Sequence, residues 1–209
     1  EHNWVQQFDF SSADFQLHDL KTALIGDYQT HNAALAIQAY IDYHQLTKRA
    51  VDVRNIQKGI AATRWAGRFE KISTKPTIVL DGAHNISAVN LIVDTLQNDF
   101  PQGHIYILMG ILADKQADKM VDKMATVQNA SIILTRFAGP GKRLAANPEK
   151  LESQLKTQPE NVSAIDDWQD AIRELRRKLT PDDMLLITGS LYFISDARKF
   201  LLNADHNFK

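Results

Sequence analysis

The sequence predicts an α/β fold, a doubly wound and mostly parallel sheet occupying the chain from about residue 71 onward, preceded by a shorter segment of different character. Three observations carry this expectation. Five short apolar runs containing β-branched residues, Thr77–Asp81, His104–Gly110, Ala130–Arg136, Val162–Asp166 and Met184–Gly189, have the length and hydrophobicity of buried strands. Apolar stripes at helical spacing lie between them, and cap or turn residues stand at the junctions. Such alternation implies parallel strands joined by right-handed crossovers that cover both faces of the sheet.

Taken in chain order, Trp4–Phe10 and Phe15–Leu20 read as strands. A helix follows whose Ala33, Ala36, Ile37, Tyr40 and Ile41 share one face, then a second helix using Val53, Ile56 and Ile60. Two short strands and two helices enclose little core, so this part reads as completing a larger domain that is mostly absent. The junction falls within Arg64–Lys71, and the domains are drawn as 1–67 and 68–209. Beyond it, the stripes Val89, Ile92, Val93, Leu96, then Ala117, Met120, Val121, Met124, then Trp168, Ala171, Ile172, Leu175, Leu179 mark three helices. Asp114 is placed to cap the second of these. Asn147-Pro148-Glu149 opens a further helix, and Ser190, after Gly189, starts the last.

Composition removes several function classes. With 24 Lys and Arg against 25 Asp and Glu, the net charge is -1, so no excess of cations exists to neutralise phosphates along a nucleic-acid groove. No window approaches the roughly 18 uninterrupted apolar residues of a membrane span. The absence of cysteine excludes disulfides, thiolate metal sites and a Cys nucleophile, and fits a reducing cytoplasm. Glu1-His2-Asn3-Trp4 carries neither an initiator Met nor a basic and apolar leader, so the sequence reads as beginning inside a longer gene product. His2, His18, His31, His44, His104 and His206 show no paired spacing with carboxylates that would specify a metal.

The chemistry gathers where strands end. Asp81-Gly82-Ala83-His84-Asn85 closes the first strand of the sheet, and in open α/β sheets ligands bind at the carboxyl ends of strands. Gly82 permits a tight or positive-φ turn, and a helix N-terminus at His84-Asn85 would attract a phosphate or carboxylate. The alternative is that Asp81 and Asn85 cap turn and helix while His84 is a surface residue. Arg68, in Gly67-Arg68-Phe69-Glu70 at the domain junction, offers a planar, permanently charged group to a ligand phosphate, or is a solvated charge. Gln29 and Asn32, one helical turn apart, suit a purine edge as well as they suit capping.

Arg136, Lys142 and Arg143 bracket a Gly139-Pro140-Gly141 loop that either meets an anionic substrate or is solvated. Ser190 either binds a carboxylate or caps its helix. No Gly-x-Gly-x-x-Gly follows any strand, which argues against an ordinary NAD or FAD binder. Gly139-Pro140-Gly141-Lys142-Arg143 fails as a P-loop, having Arg143 where Ser or Thr is required.

Three motifs in order, Gly26-Asp27-Tyr28-Gln29-Thr30-His31-Asn32-Ala33, Trp65-Ala66-Gly67-Arg68-Phe69-Glu70 and Asp81-Gly82-Ala83-His84-Asn85, resemble the folylpolyglutamate synthase family of the Mur-ligase superfamily. The resemblance spans nearly the whole chain and matches the back half of that family. It implies a Rossmann-like Mur-ligase C-terminal domain preceded by the tail of the central ATP-binding domain. The implied reaction joins L-glutamate to the γ-carboxylate of a folate with ATP, through an acyl phosphate, in the cytoplasm.

By the same resemblance Asn32 contacts adenine, Arg68 the ATP phosphates, and Asp81 the nucleotide. His84 and Ser190 match positions associated with the incoming glutamate, and His84 is the catalytic candidate. The family's P-loop, Mg2+ ligands and main folate pocket would lie in a missing N-terminal part, which is the expected partner, and without it the chain is expected to be inactive. The sequence departs from the family at Ala66 and Ile86, where Pro is usual, which changes backbone stiffness more than chemistry. The alternatives are another Mur-type ligase acting on a muramyl peptide, a non-catalytic binding module, and a phosphate-ester enzyme using Asp81.

Overall fold

The computed structural model describes residues 4–100, 103–155 and 159–204, and His2 and His206 lie outside that set. It divides into two compact units, Glu1–Trp65 and Ala66–Lys209. In the first, β1 (Gln6–Ser11) and β2 (Gln16–Thr22) pair antiparallel, followed by α1 (Asp27–Leu46) and α2 (Val53–Ala62). Phe10, Leu17, Leu20, Ile37, Ile41 and Ile56 meet in one small core. The Asp52 carboxylate accepts from Arg54 N and caps α2. Of the face expected on α1, Ile37 and Ile41 are buried, Ala33 and Tyr40 half-buried, and Ala36 exposed.

The second unit holds the sheet. Its elements are β3 (Glu70–Thr74), β4 (Thr77–Leu80), α3 (Ile86–Asp99), β5 (Ile105–Gly110), α4 (Ala117–Met124), β6 (Ala130–Arg136), α5 (Pro148–Gln154), β7 (Val162–Asp167), α6 (Trp168–Lys178), β8 (Met184–Thr188) and α7 (Leu191–Ala204). The strand order is β3-β4-β8-β5-β6-β7. All five expected strands are present and mutually parallel, while β3 runs antiparallel along the β4 edge. β3 escaped the sequence reading because Glu-Lys-Ile-Ser-Thr has no apolar run. As an edge strand it needs no deep burial on either face.

Alternate residues of each strand serve opposite faces. Leu80, Leu108, Ile133, Leu185 and Ile187 pack with Ala171, Ile172 and Leu175 of α6 and with Phe193, Ile194, Ala197 and Leu201 of α7. Contacts of α3 with α4 and of α4 with α5 build the layer on the other face. The neighbouring strands β4 and β8 thus send their following helices to opposite faces. This is a topological switch point, where a crevice opens outside the carboxyl ends of the strands.

The caps are mostly local. Asn85 accepts from Ala88 N at the start of α3, and Asn147 accepts from Lys150 N at the start of α5. Asp167 accepts from Gln169 N and Asp170 N at the start of α6. Asp114 does not cap α4 as expected. Gln116 holds that position without a side-chain bond, and the Asp114 carboxylate is taken by the Arg143 fork at 2.7–3.1 Å, a charge-assisted pair that engages both its oxygens.

Candidate functional site

At the β4–β8 crevice the pairing continues past the strand ends. Asp81 N donates to Ile187 O at 3.1 Å, and Gly189 N donates to Ala83 O at 3.1 Å. This places the His84 turn beside the turn that carries Ser190. A third turn joins them, because Gly82 N donates to Gly67 O at 2.9 Å and so ties the Arg68 segment to the end of β4. The structure therefore gathers Arg68, Asp81, His84 and Ser190 at one edge of the sheet.

Asp81 is the bracket of this group. It is only 2% exposed, and its two oxygens accept from Phe69 N and Ala83 N, both at 2.8 Å. Burial pushes its pKa up to about 6, even though those two amide bonds, the Arg68 guanidinium and His84 all pull it down. Desolvation wins because the carboxylate has no hydrogen-bonded cation beside it.

Arg68 forms no side-chain hydrogen bond among the described residues and is half-buried, so its guanidinium retains its donors for a ligand. His84 Nδ1–H donates to Gly82 O at 2.9 Å, which leaves Nε2 of the neutral ring as an acceptor. Ser190 is buried. Its hydroxyl oxygen accepts from Tyr192 N at 3.3 Å, so it opens α7 as a cap while its O–H donor stays available.

Two glycines permit the close approach. Gly82 has no positive φ, so of the two expected reasons for a glycine there, a tight or a positive-φ turn, the tight one remains. Its requirement is steric, because a Cβ would run into the Leu191 side chain and lie 3.4 Å from Gly67 O. Gly189 combines φ 108° with a Cβ position 2.6 Å from Gly110 O, so no other residue fits there without moving β5. Sequence reasoning missed the Thr188 hydroxyl, which is fully buried at the end of β8 and without a hydrogen-bond partner among the described residues.

The remaining candidates lie elsewhere. Asn32, in the first unit, donates from Nδ2 to Gln29 Oε1 at 3.0 Å, so the two amides orient each other. The anionic-substrate reading of the loop after β6 loses most of its charge. Arg136 pairs with Asp166 at 2.9 Å and Arg143 with Asp114, leaving Lys142 exposed. Among the described residues no group of three or more His, Asp or Glu side chains is gathered to hold a metal ion. No described helix is long and apolar enough to cross a membrane.

Residues 67–191, which include this whole crevice, match the family described as Mur ligase, glutamate ligase domain. The chain belongs to that family. The folylpolyglutamate synthase of Lacticaseibacillus casei is 38% identical over 203 residues, covering 96% of this chain and 45% of that protein. The dihydrofolate synthase/folylpolyglutamate synthase of Bacillus subtilis (strain 168) is 32% identical over 94% of this chain and 44% of its own length. A solved FPGS–AMPPCP–folate complex superposes with TM-score 0.74 at 33% identity, covering 97% of this chain and 43% of that one. The Mur-ligase chain thus spans less than half the length of the relatives it matches. Their C-terminal α/β fold is the fold found here.

Proposed function

We propose that this chain is the C-terminal part of an ATP-dependent carbon–nitrogen ligase that joins L-glutamate to the γ-carboxylate of a folate. In this reading 1–67 is the tail of the central ATP-binding domain and 68–209 the Mur-ligase C-terminal domain, and the complete enzyme works in the cytoplasm. The carrying observation is the crevice itself. A free guanidinium, an imidazole with an uncommitted Nε2 and a helix N-terminus bearing a hydroxyl donor converge where α3 and α7 leave the sheet on opposite faces. The names of the relatives, and the AMPPCP and folate in the related complex, support the choice of substrates.

The chemistry is the attack of the glutamate amine, once its ammonium form has lost a proton to water, on an acyl phosphate, forming the amide and releasing phosphate. Arg68 meets the charge on the phosphoryl group, and Asn32 meets the adenine edge. Asp81 serves the nucleotide through the backbone it fixes on either side, since both its oxygens are occupied by amides. Ser190 and the first turn of α7 take the glutamate carboxylate. His84 Nε2 accepts from its ammonium group, a role of orientation rather than of base catalysis. Mg2+ accompanying ATP is held by residues outside this chain, since among the described residues no ligand cluster for it is gathered. The chain alone is inactive because it has no P-loop.

The test is kinetic, in the complete ligase. His84→Ala should raise the KM for glutamate about tenfold or more while moving the KM for ATP less than about twofold. Equal effects on both, or a loss of acyl-phosphate formation without glutamate present, would remove His84 from the amino-acid site. Turnover on a muramyl peptide with none on folate would overturn the acceptor.

A further inference from the structure

The turn that carries Arg68 is costly to hold. Gly67 lies at φ 71° and Phe69 at φ 44°, so Arg68 stands between two left-handed residues, one of them an aromatic with a Cβ. Such backbone persists only where its surroundings over-determine it. Three anchors come from the end of β4 and the two residues after it, namely the pairing of Glu70 with Leu80, the Asp81 carboxylate on Phe69 N, and Gly82 N on Gly67 O. The Phe69 side chain adds a buried ring.

One further anchor comes from far away in sequence. Glu70 Oε2 accepts from Gly67 N at 2.8 Å, reaching back across the turn, and the same carboxylate receives the Arg198 fork. Arg198 Nε lies 3.0 and 3.1 Å from the two oxygens, and its terminal nitrogen lies 2.9 Å from Oε1. The pair is partly buried, with the Glu70 side chain 18% exposed. Its geometry is bidentate, which fixes orientation as well as supplying energy. Arg198 sits eight residues along α7 from Ser190, so about 12 Å of rigid helix joins it to the crevice.

We infer that Glu70 and Arg198 are positioning residues that fix the Arg68 guanidinium relative to the N-terminus of α7, so that the phosphoryl-directed and glutamate-directed groups are held as one rigid unit. The inference rests on the reading of Arg68 given above. Glu70 touches no substrate in this scheme. Its carboxylate sets the turn from within, and Arg198 keeps that carboxylate from swinging to solvent.

A double-mutant cycle in the complete ligase tests this. Glu70→Gln keeps an oxygen for Gly67 N but weakens the fork, and Arg198→Lys keeps the charge but loses the fork, so both should fold. Each should lower kcat about tenfold in the native background and less than about twofold when Arg68 is already alanine, because residues acting through Arg68 have nothing left to position. Thermal melting of every variant separates this from loss of fold. Equal losses of kcat in both backgrounds, or no loss in the native one, would overturn the positioning role while leaving the Arg68 reading intact. An unchanged kcat in Arg68→Ala alone would overturn both. Arg198→Lys falling less far than Arg198→Met, with the same dependence on Arg68, is the graded result that supports the fork.

Discussion

Asp81 is a carboxylate hydrogen-bonded to backbone amides rather than to a cation, and its titration should report that. Its pKa in the folded unit is about 6, above the ordinary value of 3.8, so the folded state binds the proton more tightly than the unfolded chain does. Stability from this group is therefore fully present below about pH 4 and is lost as pH rises through about 6, a change of roughly 3 kcal/mol. The check compares the pH dependence of unfolding for the native chain and for Asp81→Asn between pH 4 and 7. The native chain should gain stability on acidification relative to the variant, and parallel curves would sink the assignment.

Among the elements, α6 shows how a single local residue sets a boundary. Asp167 ends β7 and accepts from both Gln169 N and Asp170 N, while Arg176, Arg177 and Lys178 occupy the last turn, where cations complement the helix dipole. Asp167→Ala should cost about 1 kcal/mol in urea unfolding, whereas Asp167→Asn should cost much less, because an amide oxygen can still accept. Equal costs would mean that the carboxylate acts through its charge alone. The caps at Asn147 and Ser190 were legible in the sequence for the same reason, a short polar side chain followed at once by helical periodicity. The Asp114 cap was misread because its competitor, Arg143, is 29 residues away, and no local pattern announces such a partner.

For the whole molecule, the two units differ in how much apolar surface each encloses. Among the described residues of the first unit, one cluster of six buried hydrophobic side chains forms the core, while Leu35, Tyr43 and Leu46 are exposed, Leu46 at 85%. The sheet of the second buries β4, β5 and β8 almost completely. Local opening is least costly where few apolar contacts must break. Amides of α1 and α2 should therefore exchange with deuterium through openings of lower free energy than those of β5 and β8, and uniform protection across both units would contradict this.

What the sequence determined by itself is the set of buried strands and helices of the second unit and the residues delivered to the strand ends. Periodicity and caps are local records of burial, and five apolar runs alternating with stripes such as Val89, Ile92, Val93 and Leu96 admit few other structures. Asp81, His84 and Ser190 were visible as candidates because their motifs stand at those ends, and Arg68 because it falls at the domain junction. Only the tertiary structure decided how they meet. It inserted β8 between β4 and β5, added the polar β3 to the edge, spent both Asp81 oxygens on backbone amides and joined Glu70 to Arg198 across 128 residues. The physical reason is that a hydrophobic pattern says which residues leave water but not which residues they find, and ion pairs and strand neighbours are chosen by distance in space, on which sequence spacing is silent.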